Sequence, residues 1–355
     1  MLYSLLFYFI LLFVCTIVSY LADKYNSKTI LYLLISVFVF FTGFRGEEVG
    51  IDTIGYVETW NEALYGQLLF TELGFQFLIY FLQIFTDNEV FLFLTCSLII
   101  YVLAILRLWD LRNIASFPIM ILALYMLVFM QSMNIMRQFC GVAIVFYFTR
   151  YLFNRQYIRY LLGLIIATSF HTSSILGLSL FGLEILNWKR FSKKRKMIFI
   201  LLLLLVSIVG CLIFKIIYTK YGHYFIDTEV SVGVLTFVKF IFIIISYYLS
   251  KISCKAITFE KKGCYINSFV INAVVLLYLL GVIVESLGYF FPFMNRVGLI
   301  YSFWGIIFWG ILFKMTRRIQ LKYIYLVSMT VLLGIPFLLA IIFNGFGTVP
   351  YSLCW

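Results

Sequence analysis

The side chains most able to do chemistry in this chain are charged or polar groups set in apolar surroundings. Arg45, Arg137 and Arg296 each stand beside a long apolar run, where a charged group is costly and is a functional candidate by default. A guanidinium stays charged at any depth and donates paired hydrogen bonds that suit phosphate oxygens. His171, one of only two histidines, lies among serines and threonines in "IATSFHTSSILG". These residue types favour a site that binds an anion and moves a proton.

Polar neighbours extend this set of candidates. The segment "FRGEEVGIDTIGYVETW" (44–60) carries two carboxylates, Asp52 and Glu58. Together with Glu72, they rival His171 as the group that accepts a proton. The candidates for binding a substrate are Tyr56, Glu72, Gln138, Asn295 and Tyr301.

Each group also has a structural interpretation. Segment 44–60 suits an ordinary solvated loop, and Gln138 suits a turn between two helices. His171 and its Ser and Thr neighbours suit hydrogen bonds between membrane helices. No second histidine lies three or four residues from His171, and the seven cysteines form no CxxC pair. No metal site is therefore predicted.

The elements that must position these residues are membrane helices. The chain is 64% hydrophobic, 20% aromatic and only 12% charged, with a mean hydropathy of +1.06, which no soluble domain of this length resembles. Apolar runs of about 20 residues, each able to cross a bilayer, recur along the sequence. We therefore predict an all-α polytopic membrane protein, with residues 1–355 as a single integral membrane domain.

About ten membrane-spanning helices are predicted. They lie near 3–22, 30–44, 89–106, 114–131, 138–153, 197–217, 232–250, 265–284, 297–313 and 323–343. The first is interpreted as a retained span because it lacks the positive start and cleavage site of a signal peptide. Two further apolar pieces, 73–86 and 160–187, are predicted to be re-entrant or interfacial. For 160–187, with its turn at "SFHTSS", a single crossing that breaks the charge rule is the open alternative.

The charge distribution predicts the orientation. Net charge is +12, and short basic segments near 24–28, 107–112, 150–159, 188–196, 251–262 and 314–322 hold most of the Lys and Arg. The positive-inside rule places these segments in the cytoplasm, so that both termini and the acidic outer loop 45–72 lie outside. Orientation explains the basic surplus, and no nucleic-acid partner is predicted.

Arg45, Arg137 and Arg296 then fall on the outer face, where the orientation rule disfavours basic residues. A lipid diphosphate presents about two to three negative charges at headgroup level, and guanidinium groups are suited to binding them. We therefore expect these arginines to bind a lipid diphosphate, with His171 nearby.

Five short motifs, in order along most of the chain, resemble the EpsG/Wzy-type polysaccharide polymerases. The motifs are "R-G-x-x-V-G-x-D-x-x-x-Y" at 45–56, "E-L-G-F" at 72–75, "M-R-Q" at 136–138, "F-H-x-S-x-I" at 170–175 and "N-R" at 295–296. The resemblance implies a metal-independent glycosyltransferase of the bacterial inner (plasma) membrane, with its active site facing the periplasm or exterior. Such enzymes polymerise O-antigen, capsule or exopolysaccharide from repeat units carried on undecaprenyl diphosphate.

In that reaction the growing glycan is the donor and moves to a newly flipped repeat unit, with no cofactor. The resemblance implies that Arg45, Arg137 and Arg296 bind the diphosphate and that His171 or a carboxylate such as Asp52 helps the acceptor hydroxyl. Besides the lipid-linked oligosaccharide and the bilayer, a chain-length regulator is a candidate partner.

The sequence leaves three other functions open. An O-antigen ligase performs the same chemistry on a different acceptor. A flippase of lipid-linked oligosaccharide should show pseudo-symmetric halves, and no internal repeat is evident. A membrane acyltransferase should carry its His beside an Arg at the end of the first span, which here reads "SYLADKYN".

Overall fold

The computed structural model describes residues 2–66, 72–183, 197, 238–246, 264–288, 294–316 and 318–354. Among these residues helices dominate. Their bounds are α1 Leu2–Tyr25, α2 Lys28–Gly43, α3 Thr53–Leu64, α4 Leu73–Gln83, α5 Val90–Asp110, α6 Phe117–Asn134, α7 Met136–Phe153, α8 Tyr157–Phe170, a 3-10 helix Thr172–Phe181, α9 Cys264–Leu287, α10 Met294–Ser302, α11 Gly305–Met315, α12 Ile319–Met329, a π-helical turn Thr330–Gly334 and α13 Ile335–Ile342. Residues 238–246 are also helical.

The chain forms two compact units. The first comprises Met1–Ile175 and Ile306–Trp355, and the second comprises Leu176–Gly305. The contacts of Arg45, Glu72, Arg137 and His171 described below lie within the first unit. The prediction of one integral membrane domain stays a prediction.

Five stretches of the described helices are long and apolar enough to cross a membrane. They are Leu2–Tyr25, Val90–Asp110, Phe117–Asn134, Arg296–Met315 and Ile319–Ile342. The prediction of a helical membrane protein is thereby confirmed in its general form, while about ten spans with both termini outside stays a prediction. Of the predicted spans, 197–217 lies outside the described residues except for residue 197, and 232–250 is described only over 238–246.

The two segments predicted not to cross contain short helices. The 11 residues of α4 rise about 16 Å, roughly half of a hydrocarbon core, so this helix is too short to span alone. The 14 residues of α8 end at the polar cluster, where His171 adopts an extended backbone conformation with φ −156° and ψ 124°. The helix therefore stops where the sequence placed a turn, and the re-entrant hairpin itself stays a prediction.

The centre of the first unit is an aromatic core around α6. Tyr125 stacks on Phe129 with ring centroids 4.5 Å apart, and its hydroxyl donates to the carbonyl of Tyr8 at 3.0 Å. Phe38 of α2 packs against Tyr101 of α5 at 4.8 Å. Lipid tails are as apolar as these side chains, so close packing and buried hydrogen bonds hold such helices together. This aromatic core packs α1, α2, α5 and α6 together.

Basic residues gather at one end of the first unit. Asp110 at the end of α5 lies 3.9 Å from Arg107 and 3.6 Å from Arg150. Arg112 donates to the side chain of Asn26 at 3.1 Å, and Lys314 donates to the carbonyl of Arg112 at 3.2 Å. Segments that the charge rule assigned to one side of the membrane are thus neighbours.

Candidate functional site

A single carboxylate joins three of the predicted site residues. Oε2 of Glu72 accepts a hydrogen bond from Nη1 of Arg137 at 2.8 Å. Oε1 of the same carboxylate lies 3.3 Å from Nδ1 of His171. Arg137, Glu72 and His171, here termed the Glu72 cluster, come from three motifs that are far apart in the sequence. The fold therefore brings together a cation, an anion and an imidazole.

Helix termini position all three side chains. Glu72 immediately precedes α4, Arg137 is the second residue of α7, and His171 directly follows α8. The first turn of a helix and the residues flanking its ends carry unpaired backbone groups, so polar side chains are tolerated there inside apolar surroundings. These positions let charged groups meet without interrupting a helix.

Small residues allow the helices of the cluster to approach closely. A Cβ on Gly74 of α4 would lie 2.8 Å from Cβ and 2.9 Å from the backbone carbon of Ser169 in α8. A Cβ on Gly141 of α7 would also overlap the side chain of Ser174, in the 3-10 helix that follows α8. Close backbone approach at small residues is a common device between membrane helices. Both contacts hold the backbone around His171 against the helices that carry its neighbours.

The carboxyl of Glu72 is stabilised in its ionised form. Burial alone would raise its pKa, but the interaction with His171 and the charge of Arg137 oppose this effect, and the net pKa lies below the ordinary value of 4.5. The side chain is 9% exposed. Glu72 is therefore suited to hold its two neighbours, and poorly suited to accept a proton near neutral pH.

His171 presents only part of its ring to the surroundings. Nδ1 is buried and makes no hydrogen bond of good geometry, although Oε1 of Glu72 lies 3.3 Å away. Because 23% of the side chain is exposed, the exposed fraction lies on the rest of the side chain. A proton on Nδ1 is favoured by the facing carboxylate, which leaves Nε2 as an acceptor. The arrangement suits a general base held in one tautomer.

Aromatic rings surround the guanidinium of Arg137. Its Cζ atom lies 5.5 Å from the centroid of Phe75 and 5.9 Å from that of Tyr56, within range of cation–π attraction. Burial raises the pKa of the Tyr56 phenol despite the opposing charge of Arg137, so the phenol keeps its proton at neutral pH. Gln138, the next residue along α7, is buried and donates to Oγ of Ser173 at 3.4 Å.

Arg45 occupies a different environment. Only 1% of the residue is exposed. Its guanidinium donates to the carbonyls of Thr42, Val49 (3.3 Å) and Met133 (3.1 Å), and its Cζ lies 4.4 Å from the centroid of Phe93. Burial lowers its pKa to about 10, which leaves it charged at neutral pH. This group, termed the Arg45 clamp, ties the ends of α2 and α6 to the outer loop.

The remaining predicted residues fall into two places. Asp52 directly precedes α3, and its backbone N–H points at Oδ1 of Asn134 at 3.5 Å. Asn295, Arg296 and Tyr301 lie on α10 in the second unit. Arg296 is exposed, whereas Tyr301 is buried with its hydroxyl 2.7 Å from Oγ of Ser179. Diphosphate binding by Arg45 and Arg296, and the roles of Asp52, Asn295 and Tyr301, stay predictions.

Sequence reasoning missed two kinds of contact. It treated Glu72 as a binding residue or rival base, without placing it between Arg137 and His171. It also passed over Asn134, which contacts the outer loop, and Phe75, which packs on the guanidinium. A signal for the first existed in the sequence, since Glu72 is a carboxylate of the "E-L-G-F" motif that directly precedes the apolar segment 73–86. Within the described ranges, three or more potential metal ligands do not come together.

Comparison with known proteins identifies the family. The family model described as "EpsG family" matches residues 29–353 and therefore takes in all five motifs. No curated protein and no solved structure matches the chain. A match over this length, with the motif residues Glu72, Arg137 and His171 assembled around one carboxylate, shows that the chain belongs to the EpsG family.

Proposed function

We propose that this protein polymerises lipid-linked oligosaccharide repeat units, as the EpsG family suggests. The observation that carries the proposal is the shared carboxylate of Glu72, which orients Arg137 and His171 together. A polymerase of this kind needs a positive group for a departing diphosphate and a base for an incoming hydroxyl, and the Glu72 cluster supplies one of each.

In the proposed reaction the growing glycan, carried on undecaprenyl diphosphate, is the donor. The hydroxyl of a new repeat unit forms a bond to the anomeric carbon, and the bond from that carbon to the diphosphate oxygen breaks. Nε2 of His171 takes the hydroxyl proton, and undecaprenyl diphosphate leaves with the electron pair. Such transfers pass through an oxocarbenium-like transition state, and the acceptor becomes more nucleophilic as its proton departs.

Arg137 meets the charge that develops on the leaving group. It stands in the first turn of α7, where the helix dipole adds positive potential to that of the guanidinium. Its bond to Glu72 orients the planar guanidinium, so little reorganisation is needed as the negative charge grows. The proposal requires no metal and no cofactor.

The proposed setting is the bacterial inner membrane, with about ten spans, both termini outside and the cluster facing outward. Contacts within the first unit support this topology. Residues near both termini meet, since the N–H of Tyr351 lies 3.2 Å from Oγ of Ser4. The N–H of Gly46 in the outer loop donates to the carbonyl of Ser352 at 2.9 Å. Asn26, on the basic side, follows α1, whose 24 residues extend about 36 Å.

The proposal is tested with His171→Ala, Glu72→Gln and Arg137→Lys in cells that depend on this protein for their surface polymer. Polymer length is measured on gels, and protein level is measured in isolated membranes. We expect single repeat units to accumulate in all three variants at unchanged protein level. The matched control is His223→Ala, which removes the other histidine and should leave long chains. Long chains in every variant would refute the proposal.

Purified protein separates the polymerase from its alternatives. A polymerase lengthens lipid-linked oligosaccharide, extracted from the same cells, without other components. A ligase transfers the glycan only when its own different acceptor is supplied, and a flippase leaves the oligosaccharide length unchanged. The proposal also includes the capsule, O-antigen or exopolysaccharide class of product and a chain-length regulator as partner, which analysis of the cell's polymer and co-purification would test.

A further inference from the structure

Residues 344–354, termed the strap, run alongside the outer loop. Backbone hydrogen bonds join the strap at four places to residues 44–51, the start of the loop and the residue before it, and Arg45 and Leu353 form an antiparallel bridge. The bonds are Cys354 N to Phe44 O (2.9 Å), Gly46 N to Ser352 O (2.9 Å), Gly50 N to Gly347 O (2.8 Å) and Ile51 N to Phe346 O (3.2 Å). The path of the loop is therefore set by the strap as well as by its own turns.

The strap is itself anchored on α1 and α2. The hydroxyl of Tyr8 donates to the carbonyl of Thr348 at 2.7 Å, and the ring of Tyr351 stacks on Phe7 with centroids 4.1 Å apart. The Tyr351 hydroxyl donates to the carbonyl of Phe41 at 2.6 Å. A segment held by hydrogen bonds on both sides has little freedom to move, and it can impose its position on a neighbour.

Asn134 connects the strap to the outer loop, three residues before Arg137 of the Glu72 cluster. It is the last residue of α6, it is 6% exposed, and Nδ2 donates to the carbonyl of Phe346 at 2.7 Å. Its Oδ1 faces the N–H of Asp52, the residue that precedes α3 and so leads toward Tyr56. Arg137 follows Asn134 by three residues, across the break between α6 and α7. The side-chain amide of Asn134 thus contacts both the strap and the outer loop close to the start of α7, where Arg137 lies.

We propose that the strap, acting through Asn134, is the positioning element that fixes Arg137 and the outer loop for the transfer reaction. The proposal rests on the proposed function for its activity readout. It treats Asn134 as a positioning residue, which acts on the chemistry through Arg137. The strap is inferred to be a fixed brace and not a lid, because its hydrogen bonds to the loop, α1 and α2 are simultaneous.

A removable covalent bond distinguishes a brace from a lid. The N–H of Cys354 donates to the carbonyl of Phe44 at 2.9 Å, so the two backbones are in direct contact, and Cα atoms up to about 6.8 Å apart can be bridged by a disulfide. Phe44→Cys therefore creates a thiol that can cross-link to the native Cys354. Phe44→Cys combined with Cys354→Ala is the control that cannot form the bond.

The first experiment combines this lock with Asn134→Leu, which removes the amide without adding a carboxylate beside the Arg45 clamp. Loss of the two Asn134 contacts, to Phe346 and to Asp52, predicts a decrease of about tenfold in the polymerisation rate of membrane vesicles that contain the full-length protein. Oxidation of the Phe44→Cys single variant should leave the rate unchanged, because a brace is already fixed, and oxidation of the Phe44→Cys, Asn134→Leu double variant should not restore it, because the Asn134 contacts are still missing. Asn154→Leu, an exposed asparagine at the other end of α7, is the matched control and should have no effect.

The second experiment does not depend on polymerisation. Cys140 is buried on α7, one turn beyond Arg137, with Sγ 3.7 Å from the carbonyl of Cys96. If the strap steadies the start of α7, Asn134→Leu should increase the rate at which a membrane-permeant maleimide modifies Cys140 severalfold, as followed by mass spectrometry. Asn154→Leu, the matched control, should leave the modification slow.

The outcomes separate the two proposals. Unchanged Cys140 modification in Asn134→Leu, or an oxidised Phe44→Cys variant that loses activity and regains it on reduction, would overturn the brace. Faster Cys140 modification in Asn134→Leu but not in Asn154→Leu, in a protein that makes no polymer under any condition, would support the brace and refute the proposed polymerase function.

Discussion

Arg45 and Arg137 were both predicted to bind a diphosphate on the outer face, but the structure gives the two arginines different partners. Both are arginines beside apolar runs, yet Arg45 is 1% exposed and donates to three backbone carbonyls, whereas Arg137 is 21% exposed at its side chain and pairs with the carboxylate of Glu72. A guanidinium on neutral carbonyls ends helices and holds a loop. A guanidinium that shares an ionised partner with a histidine can respond to a substrate. The Arg45 clamp and the Glu72 cluster therefore differ in the partners of their arginine and not in the type of residue.

The largest effect is expected from His171→Ala in the Glu72 cluster, and it should appear in the polymerisation rate. Removing a general base lowers a rate by about 10²–10⁴-fold, while the Arg45 clamp and the protein level should be unaffected. Initial polymerisation rates in membrane vesicles would measure the effect. If the rate fell by less than about tenfold, the base would have to be sought among Asp52 and Glu58.

The second-largest effect is expected from Arg45→Lys, which should lower the stability of the protein. A lysine cannot reach all three carbonyls of the clamp with one ammonium group, and leaving buried acceptors unpaired costs about 3 kcal/mol in total. We expect less protein in membranes and a lower unfolding temperature in detergent. An Arg45→Lys protein of normal stability with lost polymerisation would instead place Arg45 in diphosphate binding.

Arg137→Lys should give the converse result, with a smaller overall effect. The change keeps the charge but removes the planar fork, so we expect polymerisation to fall by about tenfold to a hundredfold at nearly unchanged stability. The unfolding temperature and the rate are measured on the same preparation. Equal loss of stability in both lysine variants would remove the distinction between clamp and cluster.

The smallest effect concerns the pH dependence of stability. The pKa of Glu72 is lower in the folded protein than its ordinary value of 4.5, so its contribution is fully present above that value and is lost as the pH falls through the lower folded pKa. The difference in unfolding temperature between wild type and Glu72→Gln should be constant from about pH 5 upward and shrink in acid. A difference that grew in acid would contradict the assigned ionisation.

Much of the outline could be predicted from residues alone. Membrane helices follow from apolar runs, and the interruption at His171 follows from a polar cluster that a helix in lipid accommodates poorly. The motif residues Glu72, Arg137 and His171 were identified from their types and order. Their partners could not be predicted, because Glu72 faces Arg137 and His171 only when small residues such as Gly74 let α4 and α8 approach. The strap was not anticipated, since its contacts are mostly backbone hydrogen bonds, which leave little trace in side-chain chemistry.

The sequence by itself determined a membrane-embedded helical protein of the EpsG family and the residue types that its chemistry requires. Only the tertiary structure decided that Arg45 serves backbone carbonyls while Arg137 shares a carboxylate with His171. The physical reason is that hydropathy and charge are properties of each residue in turn, whereas the pairing of a buried charge depends on which helix ends meet. In apolar surroundings an ion must find its partner among the few polar groups that the packing brings within about 3 Å.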